Sequence, residues 1–290
     1  MAVLSTETDR KGPQNLRWQS QTVLLALIPV IAIWVTLAAG QLWQAGRGWV
    51  LEAAAISGGF ALLVIMLRAA TAGGALTGAL ITAALYLETP GLRTALWPLL
   101  ALILLTFAAT RFGRKRKEAL GTAEGKHGRT ASQVAANLGV AALAGIPLRE
   151  ALGFGPTVFV GQAALVAMIA AMAEATADTL SSELGQVLGG TPRLITTLRC
   201  VPAGTDGAVS LVGTVAGCAG AGAVAALAGW VLPLSRGEGF IAFGAGVGGL
   251  LIDSLLGAIP ERRGWLNNDA VNALSTLAAA VLAAYACRWF

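Results

Sequence analysis

Acidic side chains within an apolar segment are the clearest sign of chemistry in this sequence. Residues 173–185 read AEATADTLSSELG, in which Glu174 and Asp178 are four residues apart and share one face of a helix. Ionisable groups in such segments are costly and usually functional, and carboxylates that face phosphates suit Mg²⁺. Glu183 lies about 140° around an ideal helix from Asp178, so it reaches the same site only if the helix loosens before Gly185. The alternative interpretation is that these acids simply end a membrane span.

A polar stripe enters the apolar segment that follows a basic turn. Residues 126–139 read KHGRTASQVAANLG, and Thr130, Gln133 and Asn137 fall on one helix face at spacings of three and four residues. The start of such a helix offers free backbone N–H groups and the positive end of its dipole, with Lys126 and Arg129 beside it. This pattern suits a phosphate, although both cations also fit the general excess of basic residues on the cytoplasmic side of membrane proteins.

A long loop between two apolar segments contains a second set of candidate groups. Residues 192–210 read PRLITTLRCVPAGTDGAVS and combine Arg193 and Arg199 with a turn at Thr205 and Asp206. The chain has no GxxxxGK[ST] motif, which excludes a Walker-type nucleotide site. Asp206 fits the role of a helix cap as well as that of a ligand.

The last two apolar segments also contain polar residues that could bind a ligand. Asp253 follows a pair of glycines on the same helix face, where a neighbouring backbone could approach closely. Asn268, Asp269 and Asn272 open the final segment, and an Asn-Asp start is also an ordinary N-cap. Both regions therefore carry candidate ligands with structural alternatives.

The composition indicates that membrane helices position these groups. Of the 290 residues, 56% are hydrophobic and 12% are charged, with a mean hydropathy of +0.71, whereas soluble domains are about 45–50% apolar and about 25% charged. Long Ala/Leu/Val runs favour helices over a β-barrel. A single histidine and three widely spaced cysteines exclude a Cys/His zinc site. The sequence predicts an all-α, polytopic transmembrane helical bundle.

Nine apolar segments reach the length of about 17–25 residues that spans a bilayer. They are residues 22–39, 49–67, 71–87, 94–112, 130–146, 156–184, 209–233, 240–259 and 268–287. Alternating spans would place 15 of the 20 Lys and Arg residues on the side of the N-terminus, which predicts a cytoplasmic N-terminus. Residues 1–21 are then a polar cytoplasmic N-terminus, and residues 22–290 form one transmembrane domain. The basic run 114–117 is interpreted as a contact with anionic lipid.

Six motifs occur in an order that resembles one membrane-protein family. They are GRTASQVAANLG, ADTLSSELG, PRLITT, VPAGTDGAVSLVGT, DSLLGA and NNDAVNALST, in the region from about residue 71 to the C-terminus. The chain resembles the integral-membrane family first catalogued as a domain of unknown function, whose plant members are phytyl-phosphate kinases of the vitamin E pathway. That family is distantly similar to dolichol kinases. Where it tends to read Asn-Ala-Asp-Thr-Trp, this chain has Thr176 and Leu180 in the first and last positions.

The resemblance implies a cytosol-facing, Mg²⁺-dependent kinase that uses a nucleoside triphosphate, with CTP favoured, to convert a prenyl monophosphate to the diphosphate. The implied catalytic residues are Asp178, Glu183 and Asp253, and the implied metal ligands are Asp178, Glu183, Asp206, Asp253 and Asp269. Nucleotide and phosphate binding is assigned to Lys126, Arg129, Thr130, Gln133, Asn137, Arg193, Arg199, Thr205, Asp206, Asn268 and Asn272. We expect the prenyl chain in an apolar groove at Gly213, Gly217, Gly220 and Gly222.

Two other functions stay open at this point. A lipid-alcohol kinase or a cytidylyltransferase would use the same metal and nucleotide groups on another acceptor. A small-molecule or ion transporter would use Glu174 and Asp178 within a span, although the polar groups collect on one side. For the kinase, the expected partners are the nucleotide, the prenyl monophosphate and membrane lipid, with no nucleic acid. The expected location is the bacterial inner membrane, with the active site facing the cytoplasm.

Overall fold

The long apolar runs form helices, which are joined by polar turns and one long polar loop. The structure, a computed structural model, describes residues 16–44, 48–123, 128–146 and 158–289. Lys126 and most of the predicted polar N-terminus lie outside the described residues. The all-α architecture predicted from the sequence is confirmed, and each of the nine predicted apolar segments corresponds to a helix.

Ten α-helices and one small hairpin make up the described residues. The helices are α1 (Arg17–Gln44), α2 (Trp49–Met66), α3 (Ala72–Glu88), α4 (Leu96–Arg111), α5 (Arg114–Leu120), α6 (Ala131–Ala144), α7 (Val158–Leu188), α8 (Leu211–Val231), α9 (Arg236–Leu256) and α10 (Asn268–Ala286). A π-helical turn, Gly257–Glu261, extends α9. Strands β1 (Arg193–Leu194) and β2 (Ala208–Val209) pair antiparallel and hold the loop between α7 and α8.

Six of the described helices are long and apolar enough to cross a membrane, and the bent pair α4 and α5 makes a seventh if it counts as one span. Helices α3 and α6 are shorter, with 17 and 14 residues. At 1.5 Å per residue, α6 is about 21 Å long, which falls short of the roughly 30 Å of a bilayer core. The count of nine complete spans therefore stays a prediction, as does the cytoplasmic N-terminus.

Helix α7 lies at the centre of the bundle. In its most apolar stretch, 78% of the residues are buried, compared with 11% for α1 and 17% for α2. It packs against α4, α6, α8, α9 and α10. A helix surrounded in this way carries its C-terminal acids into the interior of the bundle rather than to its surface.

Contacts between helix ends place the predicted polar regions at one end of the bundle. The Gln19 side chain near the start of α1 donates a hydrogen bond to the Trp265 carbonyl, just before α10, at 2.8 Å. The Thr71 amide at the start of α3 donates to the Arg129 carbonyl, just before α6, at 3.0 Å. Both contacts bring together helix starts that the sequence analysis assigned to one side.

The glycines of α8 do not form the apolar groove expected from the sequence. A Cβ atom added at Gly213 would lie 2.7 Å from the Ser181 carbonyl oxygen, and one at Gly217 would lie 2.9 Å from that of Ala177. Helix α7 fills the space because small residues allow two helix backbones to approach closely. The groove prediction is wrong at Gly213, Gly217 and Gly220, and Gly222 contacts the Phe243 ring at ordinary packing distance.

Candidate active site

A polar cavity of about 300 Å³ opens at this end of the bundle. The ends of α6, α7, α9 and α10 and the loop between α7 and α8 form its walls. Ten of the residues predicted from the sequence line it: Arg129, Gln133, Asn137, Asp178, Glu183, Thr205, Asp206, Asp253, Asn268 and Asn272. The fold thus brings together groups that lie far apart along the chain, while their individual roles stay predictions.

Two carboxylates from different helices meet in this cavity. Asp178 of α7 and Asp253 of α9 both line it and interact electrostatically, and the Arg129 guanidinium attracts the Asp178 carboxylate. The Ser275 hydroxyl of α10 donates to the Asp253 carboxylate at 3.1 Å, which fixes its orientation. Two neighbouring carboxylates repel each other when both are ionised, so the site favours a bound cation.

Close packing of α9 on α7 places Asp253 at this position. A Cβ atom added at Gly249 would lie 2.5 Å from the Glu174 side chain, and one at Gly246 would lie 2.8 Å from that of Ala173. Only glycine allows this approach, as expected for the pair of glycines before Asp253. The helix backbones therefore hold Asp178 and Asp253 at a separation that flexible side chains alone would not fix.

Glu174 lies one turn deeper than Asp178 and outside the cavity lining. Its side chain is 1% exposed, and its Oε1 atom has no hydrogen-bond partner among the described residues. It interacts electrostatically with Asp178 and Asp253. This buried acid lies directly behind the carboxylate pair.

The loop between α7 and α8 closes one side of the cavity. Gly207 has a φ of +69°, and a Cβ atom there would lie 2.2 Å from the Ala258 nitrogen, so the loop lies directly on the π-helical turn. This contact positions Thr205 and Asp206 in the cavity wall. Partial desolvation raises the pKa of the Asp206 carboxyl, and the nearby Arg262 guanidinium opposes that rise.

Arg193 and Arg199 do not reach the cavity as the sequence analysis expected. The Arg193 guanidinium donates to the Leu198 carbonyl at 2.8 Å within the same loop, and Arg199 is exposed. Arg193 lies in β1, which pairs with β2. Neither arginine lines the site, so the structure does not support their assignment to phosphate binding.

Asp269 and Thr130 also differ from their predicted positions. Asp269 is buried in the first turn of α10 and does not line the cavity, so it is not placed to bind the same ion as Asp178. Thr130 caps α6: its hydroxyl accepts from the Gln133 amide, while the Gln133 side chain accepts from the Thr130 amide at 2.8 Å. Thr130 therefore serves as the cap of α6, whereas the cap of α10 is Asn267, whose side chain accepts from the Ala270 amide at 2.9 Å, and not Asp269.

Lys117, which the sequence analysis assigned to lipid contact, is buried. Its ammonium group donates to Glu183 at 2.5 Å and to the Thr110 carbonyl at 2.6 Å, and its side chain is 1% exposed. The chain bends by 63° between α4 and α5, which turns this lysine inward. The lipid-contact interpretation is wrong for Lys117. Glu183 reaches the cavity without any break in α7, so the loosening expected before Gly185 is not needed.

Glu261 is a cavity residue that sequence reasoning missed. It ends the π-helical turn, which contains Pro260, and its carboxylate faces Asp206 and Asp178. A π-turn changes the angular spacing of side chains, so ideal helical periodicity does not relate Glu261 to Asp253. The available sequence signal was Pro260, which follows the helix face that carries Asp253. A π-helical turn at such a place often marks a functional site.

Of the five carboxylates predicted as metal ligands, Asp178, Glu183, Asp206 and Asp253 line the cavity and Asp269 does not. Among the residues that the structure describes, no group of three or more His, Cys, Asp or Glu side chains is arranged to hold a metal ion. The Asp178 and Asp253 pair nevertheless fits Mg²⁺, which is usually held by one or two carboxylates together with substrate phosphates. The cavity is therefore suited to an ion that arrives with a phosphate ligand.

Residues 55–280 match the family described as "Integral membrane protein DUF92". The chain belongs to this family. The resemblance predicted from the six motifs is thereby confirmed. No solved structure matches this DUF92 chain.

Three curated relatives share part of the DUF92 chain. An uncharacterized membrane protein of Methanocaldococcus jannaschii is 43% identical over 41% of this chain and 50% of its own length. An uncharacterized membrane protein of Synechocystis is 36% identical over 63% and 70%. The chloroplastic protein VTE6 of Arabidopsis thaliana is 30% identical over 61% and 53%. The first of these matches spans half of the relative's length, so similarity alone does not transfer a whole protein's activity.

The structure explains how this DUF92 chain accommodates its departure from the family motif. Thr176 is fully buried and its hydroxyl donates to the Met172 carbonyl of the same helix at 2.8 Å. A Cβ atom at Gly220 would lie 3.1 Å from Thr176 and 2.9 Å from Leu180, so both side chains face α8. Neither lines the cavity, and their replacement therefore does not remove a group from the site.

Proposed function

We propose that this chain is a membrane-embedded kinase that transfers the γ-phosphoryl group of a nucleoside triphosphate to a prenyl monophosphate. The observation that carries this proposal is the carboxylate pair of Asp178 and Asp253 beside Arg129, in a polar cavity at one end of an apolar helical bundle. Phosphoryl transfer needs positioning and charge stabilisation rather than covalent catalysis, and these groups provide both.

The charge of the cavity supports a nucleotide that binds together with Mg²⁺. Five carboxylates, Asp178, Glu183, Asp206, Asp253 and Glu261, line it, with Arg129 as the cation among the described lining residues. Such a wall repels a bare triphosphate and attracts one whose charge is offset by a divalent ion. Asp178 and Asp253 would hold Mg²⁺, which when bound neutralises charge on the transferring phosphoryl group.

The chain's own residues then orient the reactants. Arg129 would contact the transferring or acceptor phosphate through charge-assisted hydrogen bonds. Asn137, whose side chain donates to the Gln133 carbonyl at 2.8 Å, has its carbonyl oxygen left as a further acceptor in the cavity. An oxygen of the acceptor phosphate attacks the γ-phosphorus while the bond to the β-phosphate oxygen breaks, releasing a nucleoside diphosphate. The acceptor is already anionic, so no strong general base is required.

The identity of the substrates rests on the family. The preference for CTP and for phytyl, geranylgeranyl or farnesyl monophosphate follows from the resemblance of the motifs, and one relative is a chloroplastic protein. The excess of basic residues at the cavity end supports a site that faces the cytoplasm of a bacterial inner membrane. A lipid-alcohol kinase or a cytidylyltransferase would use the same cavity with another acceptor.

A transporter is the second candidate, because Glu174 is a buried acid within the long helix α7. Its Oε1 atom lacks a hydrogen-bond partner among the described residues. An ion or proton pathway through the membrane would require such groups near the midplane. The concentration of polar residues at one end favours the kinase.

Nucleotide turnover by the purified protein in lipid vesicles tests the proposal. CTP and ATP are offered with Mg²⁺ against phytyl, geranylgeranyl and farnesyl monophosphates, and the products are identified by mass spectrometry. A prenyl diphosphate with a nucleoside diphosphate is the expected result, and it should disappear with a chelator and return with added Mg²⁺. Release of pyrophosphate would indicate nucleotidyl transfer instead. Folded protein without turnover of any pair would contradict the kinase, and uptake assays would then test transport.

A further inference from the structure

A second, apolar cavity meets the polar one. It encloses about 540 Å³ between α2, α3, α4 and α6, within the range of about 300–1,000 Å³ found for small-molecule sites. Phe60 and Val64 of α2, Leu102 and Ile103 of α4, and Leu138 of α6 line its interior. These side chains are apolar, so this part of the wall suits a hydrocarbon chain.

The end of this cavity nearest the polar site carries positive charge. Arg68, Arg111, Arg114 and Arg129 line it, and no acidic residue is found among its described lining residues. The Arg111 guanidinium donates to the Leu67 carbonyl at 3.0 Å and lies 4.2 Å from the centre of the Phe107 ring, which anchors it at the rim. Arg114 is held by Glu118 at 2.9 Å on the exposed side. This positively charged rim can bind an anionic group directly, with no metal ion between them.

Two residues line both cavities. Arg129 and Asn137 lie on the wall that the apolar and polar cavities share. A ligand that placed its hydrocarbon chain in the apolar cavity would therefore present its head group to Arg129, next to Asp178. Because the two cavities share this wall, one ligand can extend from the apolar cavity into the polar one.

The backbone at Arg129 is fixed by contacts between distant segments. The Arg129 amide donates to the Ala69 carbonyl, and the Thr71 amide donates to the Arg129 carbonyl, both at 3.0 Å. Gly128 has a φ of +72°, and a Cβ atom there would lie 2.4 Å from the Ala69 carbonyl carbon. At Gly74 a Cβ atom would lie 2.3 Å from the Arg129 carbonyl oxygen. These glycines permit the approach that joins the two cavities.

We propose that the apolar cavity between α2, α3, α4 and α6 binds the hydrocarbon chain of an isoprenoid monophosphate, with its phosphate at Arg129 and the arginine rim. The proposal rests on the proposed function and names the acceptor side of that site. A larger groove of about 720 Å³ along α1, α6 and α10 is the competing location, but its described lining contains no charged residue. Charge therefore favours the cavity at Arg129 for a phosphate-bearing lipid.

Narrowing the cavity tests this assignment through chain length. Ile103→Trp places a larger ring in the cavity, whereas Leu104→Trp makes the same kind of change on the outer face of α4, where Leu104 is 58% exposed. Ile103→Trp should lower kcat/KM for geranylgeranyl monophosphate by about tenfold or more relative to geranyl monophosphate. Leu104→Trp should leave this ratio unchanged. Equal chain-length profiles in the two folded variants would overturn the proposal.

Photolabelling tests the site without requiring turnover. A geranylgeranyl monophosphate with a diazirine at the end of its chain is irradiated with the full-length protein in vesicles, and labelled peptides are mapped by mass spectrometry. Labels on α2 or α4 that unlabelled geranylgeranyl monophosphate displaces would support the proposal. Labels on α1 or α10, or labels that are not displaced, would overturn it. Displaceable labels on α2 or α4 in a protein without kinase activity would refute the proposed function while keeping the lipid site.

Discussion

The two cavities that meet at Arg129 carry opposite charge. Five carboxylates line the polar cavity, whereas four arginines and no described acidic residue line the apolar one. The first arrangement requires a ligand that brings cations, and the second accepts a bare anion. On the proposed function, this division would separate the site of a metal-bound nucleotide from that of a lipid phosphate, with Arg129 where the two meet.

The largest effect is expected from a change at the centre of the polar cavity. Asp178→Asn keeps the shape of the side chain but removes half of the carboxylate pair, so turnover should fall about 100- to 1,000-fold. Asp269→Asn is the matched control, because Asp269 lies outside the cavity lining. Turnover is measured by mass spectrometry and folding by thermal unfolding. Equal losses of turnover in both variants would contradict the different roles assigned to Asp178 and Asp269.

A change at the shared wall should affect both substrates. Arg129→Gln removes charge-assisted hydrogen bonds, so the KM for the acceptor and that for the nucleotide should each rise about 10- to 100-fold. Arg199→Gln removes an exposed arginine that does not line either cavity and should alter both constants little. Initial rates with each substrate varied in turn measure these constants. A rise confined to one substrate would mean that Arg129 serves a single cavity.

The backbone contact that joins the cavities should be sensitive to a single methyl group. Gly128→Ala places a Cβ atom against the Ala69 backbone and should lower turnover about tenfold as Arg129 moves, in addition to a loss of stability. Gly190 has a similar φ of +66° but open space around it, so Gly190→Ala should cost only about 1–2 kcal/mol. Thermal unfolding and turnover distinguish the two effects. Equal behaviour would show that the close contact at Gly128 has no role.

The smallest effect on turnover is expected at Glu183. This residue lines the polar cavity, but its ion pair with the buried Lys117 gives it a structural role. Glu183→Gln should leave turnover per folded molecule within about twofold and lower the unfolding temperature, because an unpaired buried ammonium group is costly. Adding Lys117→Met should restore much of the lost stability. A large loss of turnover at unchanged stability would mean that Glu183 takes part in catalysis, as the sequence analysis predicted.

Sequence patterns predicted the polar cavity far better than the apolar one. Asp178, Asp253, Asn137 and Asn272 stand out because a polar residue in an apolar segment is conspicuous at any position along the chain. The apolar cavity is a gap between helices whose residues look like any other membrane-facing side chain. Its existence depends on how α2 and α4 pack, which periodicity does not specify.

Other errors have equally definite physical causes. The basic run 114–117 has the same composition whether it contacts lipid or folds inward. The bend between α4 and α5 turns Lys117 inward. Arg193 and Arg199 lie in a loop whose hairpin pairing is only two residues long on each strand. Glu261 follows a π-turn that breaks helical spacing. Each miss concerns a place where the path of the backbone leaves regular geometry.

The ion pair between Lys117 and Glu183 also constrains how the protein is made. Its partners are 66 residues apart, and α6 and most of α7 lie between them in the sequence. During synthesis Lys117 emerges first, and an unpaired ammonium group is costly at depth in a bilayer. Helix α5 therefore cannot complete this ion pair until α7 has been inserted. The end of the bundle that carries the cavities is consequently completed late, after most of the chain has left the ribosome.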